Sequence, residues 1–556
     1  MITLQTSLLL ITLVCFATCC SRAFSPSSNE QLSTNHDAAC PLRRFASNAN
    51  NILKEAPVKT FPTFNKKKNN DSVVKTSPPP TSFKKKNTKD SVVMTRRPKP
   101  LGTLAGFEFL LESFRGQLHT FLLKQMQRHG DCFVIWNEYV VLNNKDAIRD
   151  VLEKYNLEKT PQVKRGYRSM FYRKGGILAA PFASWIQQRR MTAPALQPKI
   201  IYSQLLPKFV QGVTPILTLL QQATELDLIV EMDQVFTALT LDTIGLVLLG
   251  REFGAATRLL HGNTKPVQFV TSLNILTQEA LRQMTLPSKM LQIFPPSSQV
   301  QDAKKYVDDF LEKCIDVRLR ERNDGNANQT DMLNILLDAQ EEGVIRRDDV
   351  KGQLLTFLFA GHDTTAHTLS WLLYEVSLNP TLQQELYEEA KLALPDYNDV
   401  VTDSDTLKYK LPLLERVWKE ANRKHPAAAT GTLRKVGNSP IIVGDGLELP
   451  AKASVLIPPF SLHRNEEYWP NPEVFDPSRF LPEQEEDRDN MTFQAFSAGP
   501  RNCIGSKLAQ AQAMSVLAVL FRRFRVTCVE RGEIADYTSL TRRPKNGIRF
   551  QISKQP

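Results

Sequence analysis

The chain has 556 residues, 42% of them hydrophobic and 23% charged, fractions near the globular average that exclude a wholly disordered or collagen-like protein. Its length allows up to about four domains of ~150 residues. The net charge of +12 suggests nucleic acid or an anionic membrane, but residues 1–100 hold sixteen Lys/Arg against five Asp/Glu. Eleven of the twelve net charges therefore lie at the front, the other 456 residues are nearly neutral, the main argument for a nucleic-acid partner is removed, and none is expected.

Residues 1–23 carry an apolar run from Leu8 to Val14, extended by Phe16 and Ala17 and followed by the small-x-small pattern Ser21-Arg22-Ala23. This predicts a cleaved signal peptide. A membrane anchor is the weaker alternative, because Gln5, Thr6, Ser7, Thr12 and Thr18 dilute a stretch that would need ~20 mostly apolar residues. Residues 24–97 are rich in Ser, Thr, Asn, Lys and Pro and contain a near repeat, KKKNNDSVVKT from Lys66 and KKKNTKDSVVMT from Lys84. No core can form there, so a basic low-complexity transit segment or solvated linker is expected. The step Ala23-Phe24 followed by Pro26 resembles the two-part leaders of algae with complex plastids. A plastid location is the expectation, with the endoplasmic reticulum membrane as the alternative.

From residue 98 to 556 no comparable break occurs, and one large unit is expected. Apolar residues return at three and four over 107–128, 233–249, 298–322, 348–378, 381–394 and 413–425, predicting helices. Strand signals are few: Cys132–Ile135 with Tyr139–Leu142, and Ile441–Val443 with Leu447–Leu449 across Gly444-Asp445-Gly446. The expected fold class is mainly α with a small β part.

Cys15, Cys19, Cys20 and Cys40 precede residue 41, while Cys132, Cys314, Cys503 and Cys528 are scattered, so no disulfide framework or CxxC metal site is readable. One of the latter four can still do chemistry alone.

No proline interrupts 348–379, and Pro380 closes the run, so one helix of ~30 residues, about 45 Å long, is predicted. In its middle stands Ala360-Gly361-His362-Asp363-Thr364-Thr365, weak helix formers between LLTFLF and LSWLLY. A local rule broken inside a buried element points to a functional site, where a hydroxyl and a carboxylate hold water or a ligand. The structural alternative is a set of hydroxyls bonded back to carbonyls one turn earlier.

The segment Phe496-Ser-Ala-Gly499-Pro500-Arg501-Asn502-Cys503-Ile504-Gly505 runs into the helical pattern SKLAQAQAMSVLAVLFRRF. A cysteine at the mouth of a helix meets backbone N–H groups and the positive end of the dipole, which favour thiolate. Glycines let the chain curl close to a flat ligand. A buried cysteine in a Gly-rich turn is the structural alternative.

This F-x-x-G-x-R-x-C-x-G pattern resembles the cysteine loop of the cytochrome P450 family. AGHDTT is similar to that family's distal-helix motif, Glu420-Ala-Asn-Arg423 to its ExxR pair, Phe475-Asp476-Pro477-Ser478-Arg479-Phe480 to its FxPxRF segment, and Trp185-Ile-Gln-Gln-Arg189 to its WxxxR helix. ExxR and WxxxR alone are weak signals; together with the cysteine loop, in the family's order, they leave little room for another fold.

The resemblance implies a cytochrome P450 fold binding heme b, with Cys503 as axial thiolate and metal ligand, and Phe496, Gly505 and Ala360 against the cofactor. Asp363 and Thr364 are implied as the proton-delivering pair. Glu420, Arg423 and Arg479 are expected to form a buried structural network. For the two propionates the matching candidates are Trp185, Arg189, Arg434, His463 and Arg501, with His463 equally readable as a satisfied core histidine and His362 as pointing away from the iron.

The implied function is a heme-thiolate monooxygenase that uses O2 to insert one oxygen atom into a hydrophobic substrate, a carotenoid, sterol or fatty acid. Phe171, Tyr172, Leu178 and Phe182 before Trp185, and residues 427–432, supply the apolar walls. No flavin, nicotinamide or iron–sulfur stretch is readable, so an electron-donor protein, a ferredoxin or a flavin reductase, is expected. Lys419, Lys424, Lys507, Arg522, Arg523 and Arg525 are the candidate docking face. Association with a membrane surface is compatible with this composition. The alternatives are a partner-independent isomerase or dehydratase acting on hydroperoxides, and a non-enzymatic heme binder.

Overall fold

A single unbroken α-helix of 31 residues, Arg347–Ser377, runs through the largest hydrophobic core. The computed structural model describes residues 96–555 apart from 137, 171–175, 287 and 326–330. The signal and transit segments predicted over 1–97 lie almost wholly outside the described residues, as do Phe171 and Tyr172.

Local chemistry sets both ends of the long helix. Asp349 accepts the backbone N–H of Arg346 at 3.1 Å, closing a capping box at the start. At the other end Asn379 caps the following helix, Pro380–Ala393, by accepting from the Leu382 N–H at 3.0 Å.

The Met232–Leu249 helix is apolar enough by composition to cross a membrane, but it is buried and packs along the long helix. Thr240 Oγ1 donates to the His362 carbonyl at 3.1 Å. A Cβ on Gly361 would stand 2.6 Å from Ile244 Cδ1, so the missing side chain makes room for the neighbouring helix. Gly361 therefore serves helix packing; the sequence alone suggests room for a ligand there.

The β part is small. A five-stranded sheet runs in the order Lys99–Pro100, Cys132–Ile135, Tyr139–Leu142, Ser454–Ile457, Thr432–Lys435, with Arg434 opposite Val455. Ile229–Glu231, Arg549–Lys554 and Phe524–Cys528 form a second sheet. Ile441–Val443 pairs with Leu447–Leu449 in one hairpin and Asp536–Thr538 with Arg542–Pro544 in another.

One predicted helix differs. The stretch 107–128 lies in two helices, Thr103–Arg115 and Leu118–His129, because Gly116 takes a left-handed φ of +73° and its N–H caps the Glu112 carbonyl. Leu206–Glu225, with Pro215 inside it, and Gln268–Thr285 are helices that the sequence reading does not anticipate.

Candidate functional site

The cysteine loop is built by backbone geometry. The Cys503 N–H donates to the Phe496 carbonyl at 2.8 Å and the Asn502 N–H to the Gly499 carbonyl at 3.1 Å. Gly499 has φ +69°, and a Cβ there would lie 2.4 Å from the Leu152 carbonyl oxygen, so no other residue fits. The loop ends at Gly505, where the helix Ser506–Arg523 begins.

Burial pushes the Cys503 thiol up, opposed by the Gly505 N–H and by the charge of Arg189. Yet Cys503 has accessible surface. The thiol therefore stands among protein groups with one side open. A Cβ placed on Gly505 would meet nothing within 4 Å, so the space beside the loop is open there too. A cation at Sγ would add to the Gly505 N–H and the Arg189 charge in offsetting the desolvation of a thiolate there.

Beside the loop lies a group in which cations outnumber anions, with Glu158 paired to Lys164 and opposing the lowering of Arg501. Arg501 sits 4.3 Å over the Trp185 ring and 5.6 Å over Phe182, and its Nε and Nη2 have no hydrogen-bond partner. Arg434 projects from the sheet with 2% exposure; its Nη1 donates to the Leu157 carbonyl at 3.3 Å, and its Nε has no partner. Burial and the Arg501 charge lower Arg434 to about 10. Burial, Arg434, Arg501 and Lys164 together lower Lys159 to about 7. Orphaned guanidinium donors in a cluster of mutually repelling cations form a cradle for a dianion, and the two carboxylates of a heme fit it.

Two of the predicted propionate ligands are engaged otherwise. Arg189 donates from Nη1 to the Asn502 carbonyl at 2.8 Å and from Nη2 to Asn502 Oδ1 at 2.5 Å, so it braces the cysteine loop itself. His463 is fully buried, its Nδ1 2.9 Å from the Arg423 carbonyl and its Nε2 accepting the Gln494 N–H at 2.8 Å. With both nitrogens engaged, and burial lowering it to about 3, it is a core histidine.

On the long helix, residues 350–359 and 365–373 are all buried, but Ala360, Gly361, Asp363 and Thr364 keep accessible surface. Phe496 and Ile504 of the cysteine loop pack on the same core as this helix. Thr364 Oγ1 donates to the Ala360 carbonyl at 2.7 Å, so the back-bonded arrangement is present and the hydroxyl oxygen still has lone pairs to accept with. His362 is buried, its Nδ1 2.9 Å from the Leu358 carbonyl. Asp363 accepts from Thr541, in the turn of the Asp536–Thr538/Arg542–Pro544 hairpin, and its Oδ1 lies 3.2 Å from His367 Nε2. Burial would raise the Asp363 carboxyl, but His367, His362 and Thr541 hold it well below the usual range.

Glu420 and Arg423, on the helix Pro412–Lys424, have no exposed surface. Arg423 also donates to the His463 carbonyl at 3.0 Å, and Glu420 accepts the Asp476 N–H at 2.9 Å. Arg479 joins more loosely, its Nε 3.6 Å from Glu420.

Two of the six cations of the expected docking face are neutralised by acids and one is buried. Lys419 pairs with Glu485 at 2.7 Å, Lys424 pairs with Glu375 at 2.8 Å, and buried Arg522 donates to the Leu394 carbonyl at 2.9 Å. Lys507 and Arg525 stay exposed. Leu178 packs against the core, and Phe182, 39% exposed, packs its ring 5.9 Å from Trp185 with Arg501 over it.

Lys159 and His367 are the functional candidates missing from the sequence reading. Only strand pairing brings Lys159 opposite Arg434. His367 was signalled by its place one turn after Asp363.

The chain is similar to known proteins over most of its length. The cytochrome P450 family model matches residues 97–549. Cytochrome P450 4F2 from Homo sapiens is 29% identical over 394 residues, covering 68% of this chain and 72% of its own. Taurochenodeoxycholic 6 alpha-hydroxylase from Sus scrofa is 30% identical over 394 residues, covering 68% and 76%. Cytochrome P450 4A24, also from Sus scrofa, is 29% identical over 453 residues, covering 78% and 86%.

Proposed function

Because the chain belongs to the cytochrome P450 family, whose members are monooxygenases carrying heme b on a cysteine thiolate, we propose that Cys503 is the axial ligand and that the substrate is an amphipathic lipid. The observation that carries this reading is the accessible but desolvated Cys503 beside the unpaired donors of Arg434 and Arg501. The heme, when bound, supplies the activation of O2 for insertion of one oxygen atom.

The protein's own residues do the rest. Arg434 and Arg501, with Lys159 paired to Arg434 across the backbone, would hold the propionates by charge-assisted hydrogen bonds. Trp185 supports the Arg501 guanidinium from one face. Arg189 keeps the cysteine loop in shape through Asn502, so its effect on the cofactor is indirect. Phe496 and Gly505 leave a flat, open wall, and Ala360 presents only a methyl group to the cavity. Asp363 and Thr364 hold the proton inventory of the distal side: the carboxylate accepts and releases a proton, and the hydroxyl oxygen orients the water between them. Glu420, Arg423 and Arg479 fix the surrounding core.

Carotenoid, sterol and fatty acid all suit an apolar cavity. One of these relatives is named as a taurochenodeoxycholic 6 alpha-hydroxylase, acting on a steroid acid, which favours an amphipathic lipid over a carotenoid hydrocarbon. Electrons come from a partner protein. These relatives are from mammals, whose cells lack plastids, which favours a flavin reductase at the endoplasmic reticulum membrane over a plastid ferredoxin. On this reading residues 1–97 are a secretory leader and basic linker, and 98–556 is the catalytic domain.

The test is turnover of fatty acids, steroid acids, sterols and carotenoids under 18O2, with a flavin reductase or with ferredoxin and its reductase. One labelled oxygen atom in an amphipathic lipid product supports the proposal. Label from water, or product without any electron donor, overturns it.

A further inference from the structure

Asp363 is held by a residue that the family's distal motif does not include. His367, on the next turn of the same helix, stands between two carboxylates: its Nε2 is 3.2 Å from Asp363 Oδ1 and its Nδ1 is 2.9 Å from Asp233 Oδ1. Asp233 belongs to the neighbouring Met232–Leu249 helix and also accepts from Ser370 Oγ at 2.7 Å. The imidazole is 4% exposed, while the two carboxylate side chains keep 16% and 14%. A buried ring with both nitrogens facing acceptor-only groups satisfies them only when both carry protons, that is, as a cation.

We propose that His367 is a positioning residue: an imidazolium, anchored by Asp233, that keeps Asp363 ionised and fixes the direction its carboxylate faces. The inference rests on the reading of Asp363 as the distal acid. An orphan carboxylate at that depth would take up a proton and lose its ability to shuttle one. Between its two neighbours it stays an anion, with Oδ1 held by the ring and Oδ2 by the Thr541 hydroxyl.

The surrounding charges agree with that assignment. Burial works against a charged His367, but Asp233 and Asp363 outweigh it and raise the ring to about 10, and the charged ring helps burial to lower His362. Burial would raise Asp233, and His367, Ser370 and the Arg543 charge bring it down. Glu231, which caps the same helix through the Asp233 and Gln234 N–H groups, is raised to about 7 by burial and by Asp233. The cluster therefore carries one cation between two anions.

Two measurements test this on the full-length holoprotein. The first labels histidine Cε1 with 13C and titrates the reduced, carbon-monoxide-bound protein; His367 is assigned among the eight histidines by His367→Gln and by the response to Asp233→Asn. The expected result is a midpoint near 10 that falls in Asp233→Asn. A midpoint at the ordinary histidine value overturns the inference.

The second follows the pH profile of reoxidation of the dithionite-reduced protein by O2, with peroxide release recorded. Glutamine can still donate one hydrogen bond but carries no charge, so a purely structural role would leave the profile of His367→Gln in place. Because Asp363 is held well below the usual carboxylate range in the wild type, the inference expects a carboxylate midpoint to enter the profile of His367→Gln as Asp363 loses its cation. Asp233→Asn should change the profile less. A profile that moves in Asp363→Asn but not in His367→Gln overturns the inference and leaves the distal acid standing. A profile unmoved in Asp363→Asn overturns both.

Discussion

Arg423 donates two parallel hydrogen bonds of 2.7 Å to Glu420, from Nε to Oε2 and from Nη2 to Oε1, and neither side chain has exposed surface. The pair is one helical turn long, and its outer donors and acceptors reach the His463 and Val474 carbonyls and the Asp476 N–H. A buried pair of this kind is more informative for what its breakage costs than for what its presence contributes. Glu420→Ala leaves a buried guanidinium without its anion and should destabilise the fold by about 3–5 kcal/mol. The check is the thermal midpoint of the holoprotein, with Glu415→Ala, on a half-exposed face of the same helix, as the control expected to stay within about 1 kcal/mol.

The cation cluster makes a separate prediction about cofactor retention. Arg434→Leu and Arg501→Leu should each weaken heme binding about tenfold to a hundredfold, since each removes charge-assisted bonds worth roughly 1.5–3 kcal/mol. Transfer of heme to excess apomyoglobin measures this. His463→Asn, which alters a histidine engaged on both nitrogens, should act on stability more than on heme affinity.

Thr364 makes a prediction about coupling. Its hydroxyl proton is committed to the Ala360 carbonyl, so its role toward the cavity is as an acceptor that orients water. Thr364→Ala should raise peroxide released per electron consumed while leaving the carbon-monoxide spectrum unchanged. Thr364→Ser, which keeps the oxygen, should restore most of the coupling.

The His367 pair sets a pH window. A histidine raised from 6.5 to about 10 in the fold contributes its full stabilisation below pH 6.5 and loses it as pH rises through 10. The stability gap between wild type and His367→Gln should therefore be widest near pH 6.5 and shrink toward pH 10. Melting midpoints of both proteins across that range check the sign.

Much of this site is legible in the sequence because its parts are local. The cysteine loop, the pair at 420 and 423 and the acid and alcohol at 363 and 364 each lie within one turn of helix or one tight loop, where spacing fixes geometry. The long helix and both predicted hairpins follow from proline placement and alternation. What the sequence hides is long-range. Asp233 and His367 are 134 residues apart, and Thr541 reaches Asp363 across 178. Lys159 meets Arg434 only through the sheet. The pairing of Lys419 with Glu485, 66 residues away, is hidden for the same reason.

The central claim is that Cys503 binds heme iron as a thiolate, and the absorption spectrum of the dithionite-reduced protein under carbon monoxide tests it without substrate or partner. The expected result is a strongly red-shifted Soret band in wild type that is lost in Cys503→Ser, with helical content retained. A band at the position of neutral-ligand hemoproteins in wild type, or an unchanged red-shifted band in Cys503→Ser, would contradict it.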